Sequence, residues 1–291
     1  MTLRHLKILK EVCECRSVTQ AAKNLYIAQP SVSAVIKETE EHYGVRLFKR
    51  IKNRLVITEA GQELYERACN VLNDFNDFEN CAYKKSRADA IKIGTSLTIG
   101  TFLLPELMKK IRKNFPSAEM KIKIFPKESV ENAVLTGELD LGLVENAVNL
   151  REFDAQKFYR DELVAVCAKD YPAPDTLKIS ELFDYPFILR EKGSASRERF
   201  DSFSEAHGVK IEPFIESANP QAALNCAAAG LGIAILPLGM AEEKLKEGTL
   251  RRVGVENTRF EREYYVICRK KKPLTALQRN VLALCTAFLS E

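Results

Sequence analysis

Two short stretches of this chain hold side chains suited to reading a polyanion. The first is Gln29-Pro30-Ser31-Val32-Ser33-Ala34-Val35-Ile36-Lys37. At the helical angle, Pro30, Ser33, Ala34, Lys37 and Glu41 fall on one side, and Val32, Val35, Ile36, Thr39 and Tyr43 on the other. A helix lying deep in the major groove of DNA needs small exposed side chains, with hydroxyl, amide or basic groups to meet base edges and phosphates. Gln29, at the helix start, carries the amide that can pair with adenine or bond a phosphate. The second stretch packs Lys49, Arg50, Lys52 and Arg54 into six residues, a density suited to gripping phosphate oxygens. The bland alternative for each is a solvated polar face.

The elements around these residues fit the first reading. Ser17 with Gln20 three residues later forms a capping-box pattern, and Val18, Ala21, Ala22 and Leu25 recur at helical spacing. That short helix stops near Tyr26–Ala28. A second helix is predicted from about Pro30 to Tyr43, ending at Gly44. Two short helices with about three residues between them make a helix-turn-helix. Leu47–Thr58 alternates apolar positions around a polar turn at Lys52-Asn53, which predicts a β-hairpin, or wing, bearing the basic run.

SVTQAAKNLYIAQPSVSAVIKETEEHYGVRLFKR, followed by LVITEAGQELYERA, resembles the DNA-binding signature of the LysR-type transcriptional regulators. The matches include Ala21-Ala22, Leu25, Gln29 to Ser33, Ile36, Glu40, Gly44-Val45, Leu47-Phe48, Arg50 and Thr58 to Gly61. Lys49 departs from the usual acidic or neutral residue and adds charge to the wing. The DNA-binding set expected here is Gln29, Pro30, Ser31, Ser33, Ala34, Lys37, Arg50, Lys52 and Arg54, acting on double-stranded DNA.

After Thr58, a predicted N-cap, Leu64, Ala68, Val71, Phe75, Phe78 and Ala82 are spaced as an a/d seam. Dimerisation through Leu64, Ala68, Val71, Phe75 and Phe78 is the expected use. Packing against the helix's own domain is the alternative. In LysR-type proteins this segment pairs two subunits, which implies a homodimer or tetramer on an inverted-repeat operator. RNA polymerase is a further candidate partner. The polar stretch from Lys84 to Ala90 reads as a domain boundary.

From Ala90 onward, strand-like and helix-like runs alternate, which predicts an α/β region with mostly parallel sheets. Strands are expected at 91–95, 120–125, 139–144, 163–168, 186–189, 210–215, 232–236 and 264–269. Helices are expected at 100–114, 129–136, 196–206, 220–229, 238–246 and 274–289. The family resemblance implies two α/β lobes like those of type 2 periplasmic solute-binding proteins, with two chain crossings near Asp161 and Val266. The domains then run 1–58, a winged helix-turn-helix; 59–89, the linker helix; and 90–291, the effector-binding region. Its first lobe would hold 90–161 and 267–291, and its second 162–266. Ligands in such folds bind at strand ends and helix starts. The resemblance implies a cleft lined at four such places: the hydroxyls of Thr95, Ser96 and Thr98, the Glu145 carboxylate with the Asn146 amide, the hydroxyls of Ser194 and Ser196, and the Asn219 amide. They suit a small, anionic effector.

The charge balance supports this division. Residues 1–58 carry 11 basic and 5 acidic side chains, a balance of +6, within a whole-chain charge of +4. The remaining 233 residues therefore sum to −2. The 46% hydrophobic and 29% charged composition excludes disorder or a fibrous rod as a description of the whole chain. No signal peptide or membrane-spanning run is evident, so a cytoplasmic protein without membrane contact is expected. The eight cysteines, at 13, 15, 69, 81, 167, 226, 268 and 285, are scattered as in a reducing compartment. Cys13 and Cys15 lie about 200° apart on a helix and match no zinc spacing. Cys226 reads as a small apolar residue, with redox sensing as the alternative. No nucleophile, metal or phosphate-loop motif occurs around His5, His42 and His207, so no catalytic residue, metal or cofactor is expected. A carrier protein and an enzyme housed in the α/β lobes are the competing readings. The first lacks a secretion signal. The second lacks a convergent acid–base set.

Overall fold

The structure is a computed structural model that describes the chain except residues 53, 83–89, 147, 257 and 289–291, and except the side chains of 77 and 80–82. Asn53 of the predicted turn, Ala82 of the seam and most of the 84–90 boundary therefore lie outside the described residues. Two compact units are present, Met1–Arg87 with Leu135–Glu138, and Ala88–Val134 with Leu139–Glu291.

In the first unit, α1 (Leu3–Cys15), α2 (Val18–Asn24) and α3 (Gln29–Tyr43) precede a hairpin of β1 (Phe48–Ile51) and β2 (Arg54–Ile57), then α4 (Glu59–Ala82). Apolar Ile8, Val12, Ala21, Ala22 and Val32 bury together, which fixes the three short helices as one body. Isolated helices of these lengths would be marginal in water, so this shared burial holds them. Ser17 caps α2 as expected, its Oγ accepting from Gln20 N at 3.2 Å. The Gln20 side chain does not return to the cap; it bonds Asn24 Oδ1 at 2.8 Å, so the capping box is half made. Gly44 closes α3 at φ 67°, a conformation that costs glycine little.

In the second unit, β3 (Ala90–Ser96), β4 (Glu119–Phe125) and β5 (Leu141–Glu145) are parallel neighbours. Helices α5 (Leu97–Phe102), α6 (Leu104–Asn114) and α7 (Lys127–Leu135) connect them. The long β6 (Phe153–Ala168) follows, then β7 (Thr176–Leu177), a 3-10 helix at Ile179–Asp184, β8 (Phe187–Arg190), α8 (Ala195–Ala206), β9 (Ile215–Ser217), α9 (Pro220–Ala228) and β10 (Ile233–Pro237). The chain closes with α10 (Leu238–Lys246), β11 (Leu250–Val255), β12 (Phe260–Arg269) and α11 (Ala276–Ala287). The main strand order is β4-β3-β5-β12-β6-β10-β8-β9.

This is a two-lobed α/β arrangement joined through β6 and β12. Tyr264, Val266 and Cys268 of β12 bury with Ile91, Leu107 and Val281 in the first lobe, whereas Phe260 buries with Phe187 and Phe200 in the second. In β6, Leu163, Ala165 and Cys167 face one second-lobe core, and Val164 and Val166 face the other. That period of two covers both sheet faces with apolar side chains. Within each lobe β3, β4 and β5, or β8, β9 and β10, run parallel; the pairings of β12 with β5 and of β6 with β12, β10 and β11 are antiparallel. The sheet is thus mixed rather than mostly parallel, because the two crossing strands run against their neighbours.

Three expectations need correction. The single helix expected at 100–114 is two, α5 and α6. Pro105 lies in the first turn of α6 and lacks the N–H that a continuous helix requires. The strand expected at 210–215 is only Ile215–Ser217, because Pro213 cannot donate to a ladder. Conversely, the strand expected at 163–168 begins ten residues earlier, at Phe153. Its crossing half includes the charged Arg160-Asp161-Glu162, which broke the hydrophobic pattern.

Candidate DNA-binding surface and effector cleft

All nine residues expected to touch DNA are exposed: Gln29, Pro30, Ser31, Ser33, Ala34 and Lys37 on α3, and Arg50, Lys52 and Arg54 on the hairpin. Val32 and Thr39 turn the opposite side of α3 inward, so the helix is anchored without using its reading face. Gln29 Nε2 donates to Ser33 Oγ at 2.9 Å, joining two of these side chains. Lys37 pairs loosely with Glu41 at 3.6 Å, an exposed contact of small energetic weight.

The wing is tied to α3 by Glu40, whose role no spacing rule signalled. Its Oε1 accepts from Leu47 N at 2.8 Å and Phe48 N at 3.3 Å, and its Oε2 from Arg46 at 3.0 Å. Thr58 performs the expected cap, accepting from Gly61 N at 3.0 Å, and its hydroxyl also donates to Arg46 O at 2.6 Å. A Cβ on Gly61 would stand 2.2 Å from Leu47 O, so α4 and the wing approach here as closely as glycine allows. The exposed basic side chains are therefore held on a backbone fixed from three sides.

The α4 seam divides in two. Leu64 and Ala68 pack against Leu9, Leu47 and neighbours from α1 and the wing strand, within their own chain. Ala68 is fully buried there, which removes it from the dimerisation set and leaves Leu64 only partly available. Val71 and Phe78 stay 48% and 72% exposed. The first heptad thus serves the DNA-binding fold, because α1 offers an apolar face that the seam pattern alone did not reveal.

The effector residues divide differently. Thr95, Ser96, Thr98, Glu145 and Ser196 are all buried; Asn146 and Ser194 are half-buried and Asn219 exposed. Ser96, Ser194 and Asn219 act as N-caps of α5, α8 and α9, their side-chain oxygens accepting from Ile99 N, Arg197 N and both Gln221 N and Ala222 N. Thr95 Oγ1 bonds Ser96 O at 3.4 Å. Thr98 Oγ1 accepts from Arg190 Nη1 at 3.4 Å across the two lobes. Asn146, at φ 61°, donates from Nδ2 to Ala195 O at 3.1 Å, a second link between the lobes. Asn219 is spent on capping at the surface and is not brought into the buried group.

Three buried arginines complete the cluster. Arg190 chelates Glu191 through Nε at 2.8 Å and Nη2 at 2.9 Å. Arg197 bonds Asp201, Glu216 and Arg190 O. Arg262 bonds Asp161 Oδ2 through Nη2 at 2.8 Å, and Ser196 Oγ through Nη1 at 3.0 Å. The Tyr264 hydroxyl joins the same pair. Burial opposes charge on Arg262, but the neighbouring Tyr264, Asp161 and Glu145 outweigh it and hold its pKa up. Burial pushes the Tyr264 phenol well above its ordinary range. Asp161 and Arg262 are 101 residues apart, which is why no sequence motif paired them. Sequence reading found the hydroxyls at strand ends and missed the ion pair that ties the two crossing strands together.

An exposed helix-turn-helix with a basic wing, joined to a two-lobed α/β region with a polar cluster between the lobes, defines a ligand-binding type of transcriptional regulator. Residues 3–62 match the bacterial regulatory helix-turn-helix protein, lysR family, and residues 84–290 match the LysR substrate binding domain. The chain is 33% identical over 286 residues to the HTH-type transcriptional regulator YeiE of Escherichia coli strain K12, covering 98% of this chain and 97% of that one. It belongs to the LysR family of transcriptional regulators. Full-length OxyR of Pseudomonas aeruginosa has a similar fold, with TM-score 0.68, 20% identity, and coverage of 100% of this chain and 96% of that one. Full-length CbnR in complex with its target DNA matches with TM-score 0.55 and 20% identity, over 98% of this chain and 100% of that one. Among the described residues, no helix is long and apolar enough to cross a membrane.

Proposed function

We propose that the chain binds an inverted-repeat operator as a homodimer or a tetramer of such dimers, in the cytoplasm, and that a small anionic molecule held between the two lobes sets its activity. Residues 1–58 bind DNA, the linker segment 59–89, through α4, pairs subunits, and 90–291 sense the effector. The observation that carries the DNA reading is the exposure of every expected contact on α3 and the wing beside buried anchors on the opposite face of α3. CbnR, of similar fold, was crystallised with its target DNA, which supports the same use here. Pairing would use Val71, Phe75 and Phe78, the seam positions left after Leu64 and Ala68 are taken by α1. The effector reading rests on buried hydroxyls of Thr95, Ser96, Thr98 and Ser196 beside the buried guanidinium of Arg190.

Binding to the promoter region beside the gene tests this. Protection of two half-sites about one or two helical turns apart is expected, with affinity falling steeply as salt rises. Equal affinity for random DNA, or no salt dependence, overturns the reading. Ser96→Ala with Thr98→Val is expected to abolish an effector response while leaving promoter binding intact; an unchanged dose response moves the ligand away from this cleft.

A further inference from the structure

Among the described residues, Glu145 Oε2 is the buried side-chain polar atom that has no hydrogen-bond partner. Glu145 ends β5, opposite Tyr264 of β12, and is 2% exposed. Its charge reaches both Arg262 and Tyr264. Neither is bonded to it: Arg262 is engaged by Asp161, Tyr264 and Ser196, and the Tyr264 hydroxyl donates to Asp161. The next residue, Asn146, turns its amide away to Ala195 O. A buried carboxylate oxygen without a donor is costly, and proteins rarely retain one unless something else completes it.

The rest of the cluster is not a simple anion trap. The guanidiniums of Arg190, Arg197 and Arg262 are each matched by carboxylates of Glu191, Asp201 and Glu216, or Asp161. Glu145 adds a negative group with no such match. A ligand carrying only negative charge would sit against it and be repelled. A ligand that also presents a protonated amine would supply the missing donor and the missing charge together. The buried Thr98 hydroxyl accepts from Arg190 Nη1 and has its own hydrogen to offer the acidic end. A surface hollow lined by Asn146, Arg199, Ser202, Glu263 and Tyr265 also reaches Arg262, beside this cluster.

We infer that the anionic effector proposed above also carries a protonated amine: it is a small amine-bearing acid whose ammonium group pairs with Glu145. This rests on the proposal above that the cleft between the lobes is the effector site. The ligand releases stabilising energy only in the arrangement that brings its amine against Oε2, so Glu145 selects ligand and lobe arrangement together.

The test uses the full-length protein, isothermal titration and thermal shift, and three sets of probes. These are the common α-amino acids, the same molecules with the amine replaced by hydrogen, and inorganic sulfate and phosphate. Saturable binding of at least one amino acid is expected, with roughly 100-fold weaker binding of its deaminated counterpart. Glu145→Gln should lose a similar factor for the amino acid and nothing for the deaminated acid, with circular dichroism showing that the variant is folded. Glu145→Asp should recover part of the loss. Amino-acid binding that is equal in wild type and Glu145→Gln overturns the inference. So does binding confined to sulfate, phosphate or the deaminated acids; that outcome leaves the cleft itself as the effector site. No binding by any probe also overturns it. If the amino acid binds but Ser96→Ala with Thr98→Val leaves that binding unchanged, the cleft assignment fails and the inference that rests on it falls with it.

Discussion

The proposed DNA-binding surface and the proposed effector cleft are both sets of polar side chains, yet they are built in opposite ways. On α3 and the wing the functional groups are exposed, and each lies within about 26 positions of the others. Their only mutual contacts are slight, such as Gln29 to Ser33. In the proposed cleft most of the groups are buried, drawn from segments between Thr95 and Tyr264, and nearly all are hydrogen-bonded to backbone or to other side chains. A surface that must desolvate against DNA leaves its donors available. A cleft inside a fold must satisfy its polar atoms internally, and an atom left unsatisfied there, Glu145 Oε2, stands out.

That contrast predicts where substitutions do damage. The largest stability effect is expected at Asp161. Asp161→Asn strips the counter-charge from Arg262 where both side chains are at most 3% exposed, and should cost about 3–5 kcal/mol in denaturant unfolding of the effector-binding unit. A loss no greater than a surface ion pair gives would mean that the crossing strands do not depend on it.

Gly61→Ala comes next. The added methyl must displace the Leu47 carbonyl, at roughly 1–3 kcal/mol, and should loosen the wing as well as α4. Hydrogen exchange at Leu47 and Phe48 is the sensitive readout, and unchanged protection there would separate the wing from the helix start.

Smaller effects belong to the reading surface itself. Ser33→Ala should reduce operator-over-random discrimination by about 1 kcal/mol, with folding untouched. Arg54→Ala should weaken all DNA sequences alike and lower the salt slope by about one. If the two variants behaved identically, the division between base reading on α3 and phosphate gripping on the wing would collapse.

The last effect, negligible at neutral pH, is on alkaline stability. Burial pushes the Cys13 thiol up to about 12 from an ordinary 9.0, helped by Cys69 and Glu14. Above pH 9 the unfolded chain gains a thiolate that the folded chain still refuses, so this contribution is full below pH 9 and lost as pH rises toward 12. The denaturation midpoint of the wild type should fall between about pH 8 and about pH 10.5 more steeply than that of Cys13→Ala. Parallel curves for the two proteins would remove the thiol as the cause.

How much could be read in advance follows the same division. The winged module was legible because its evidence is local: helical spacing of Val18, Ala21, Ala22 and Leu25, a capping serine, Pro30 at a helix start, and four basic residues on one hairpin. The seam on α4 was legible as a pattern but not in its use. Spacing shows that Leu64 and Ala68 are apolar on one face; only packing shows that α1 claims them. In the second unit, most strands and helices were found; the errors fell where a proline cut an element short, where charged residues disguised a crossing strand, and at the unforeseen β7 and β11, the latter with Arg251-Arg252 inside it.

Sequence alone determined that a basic module with a helix-turn-helix pattern precedes an α/β region of nearly balanced charge, because charge balance, helical periodicity and turn residues are properties of neighbours in the chain. It also determined which hydroxyl-bearing strand ends were candidates for a cleft. Tertiary structure decided what those residues do. It made caps of Ser194 and Asn219, joined Asp161 to Arg262 across 101 positions, packed Leu64 and Ala68 of the expected seam against α1, and left one carboxylate oxygen of Glu145 without a donor. The physical reason is that hydrogen-bond satisfaction and burial are set by groups that meet in space, and a chain's order does not state which distant groups will meet.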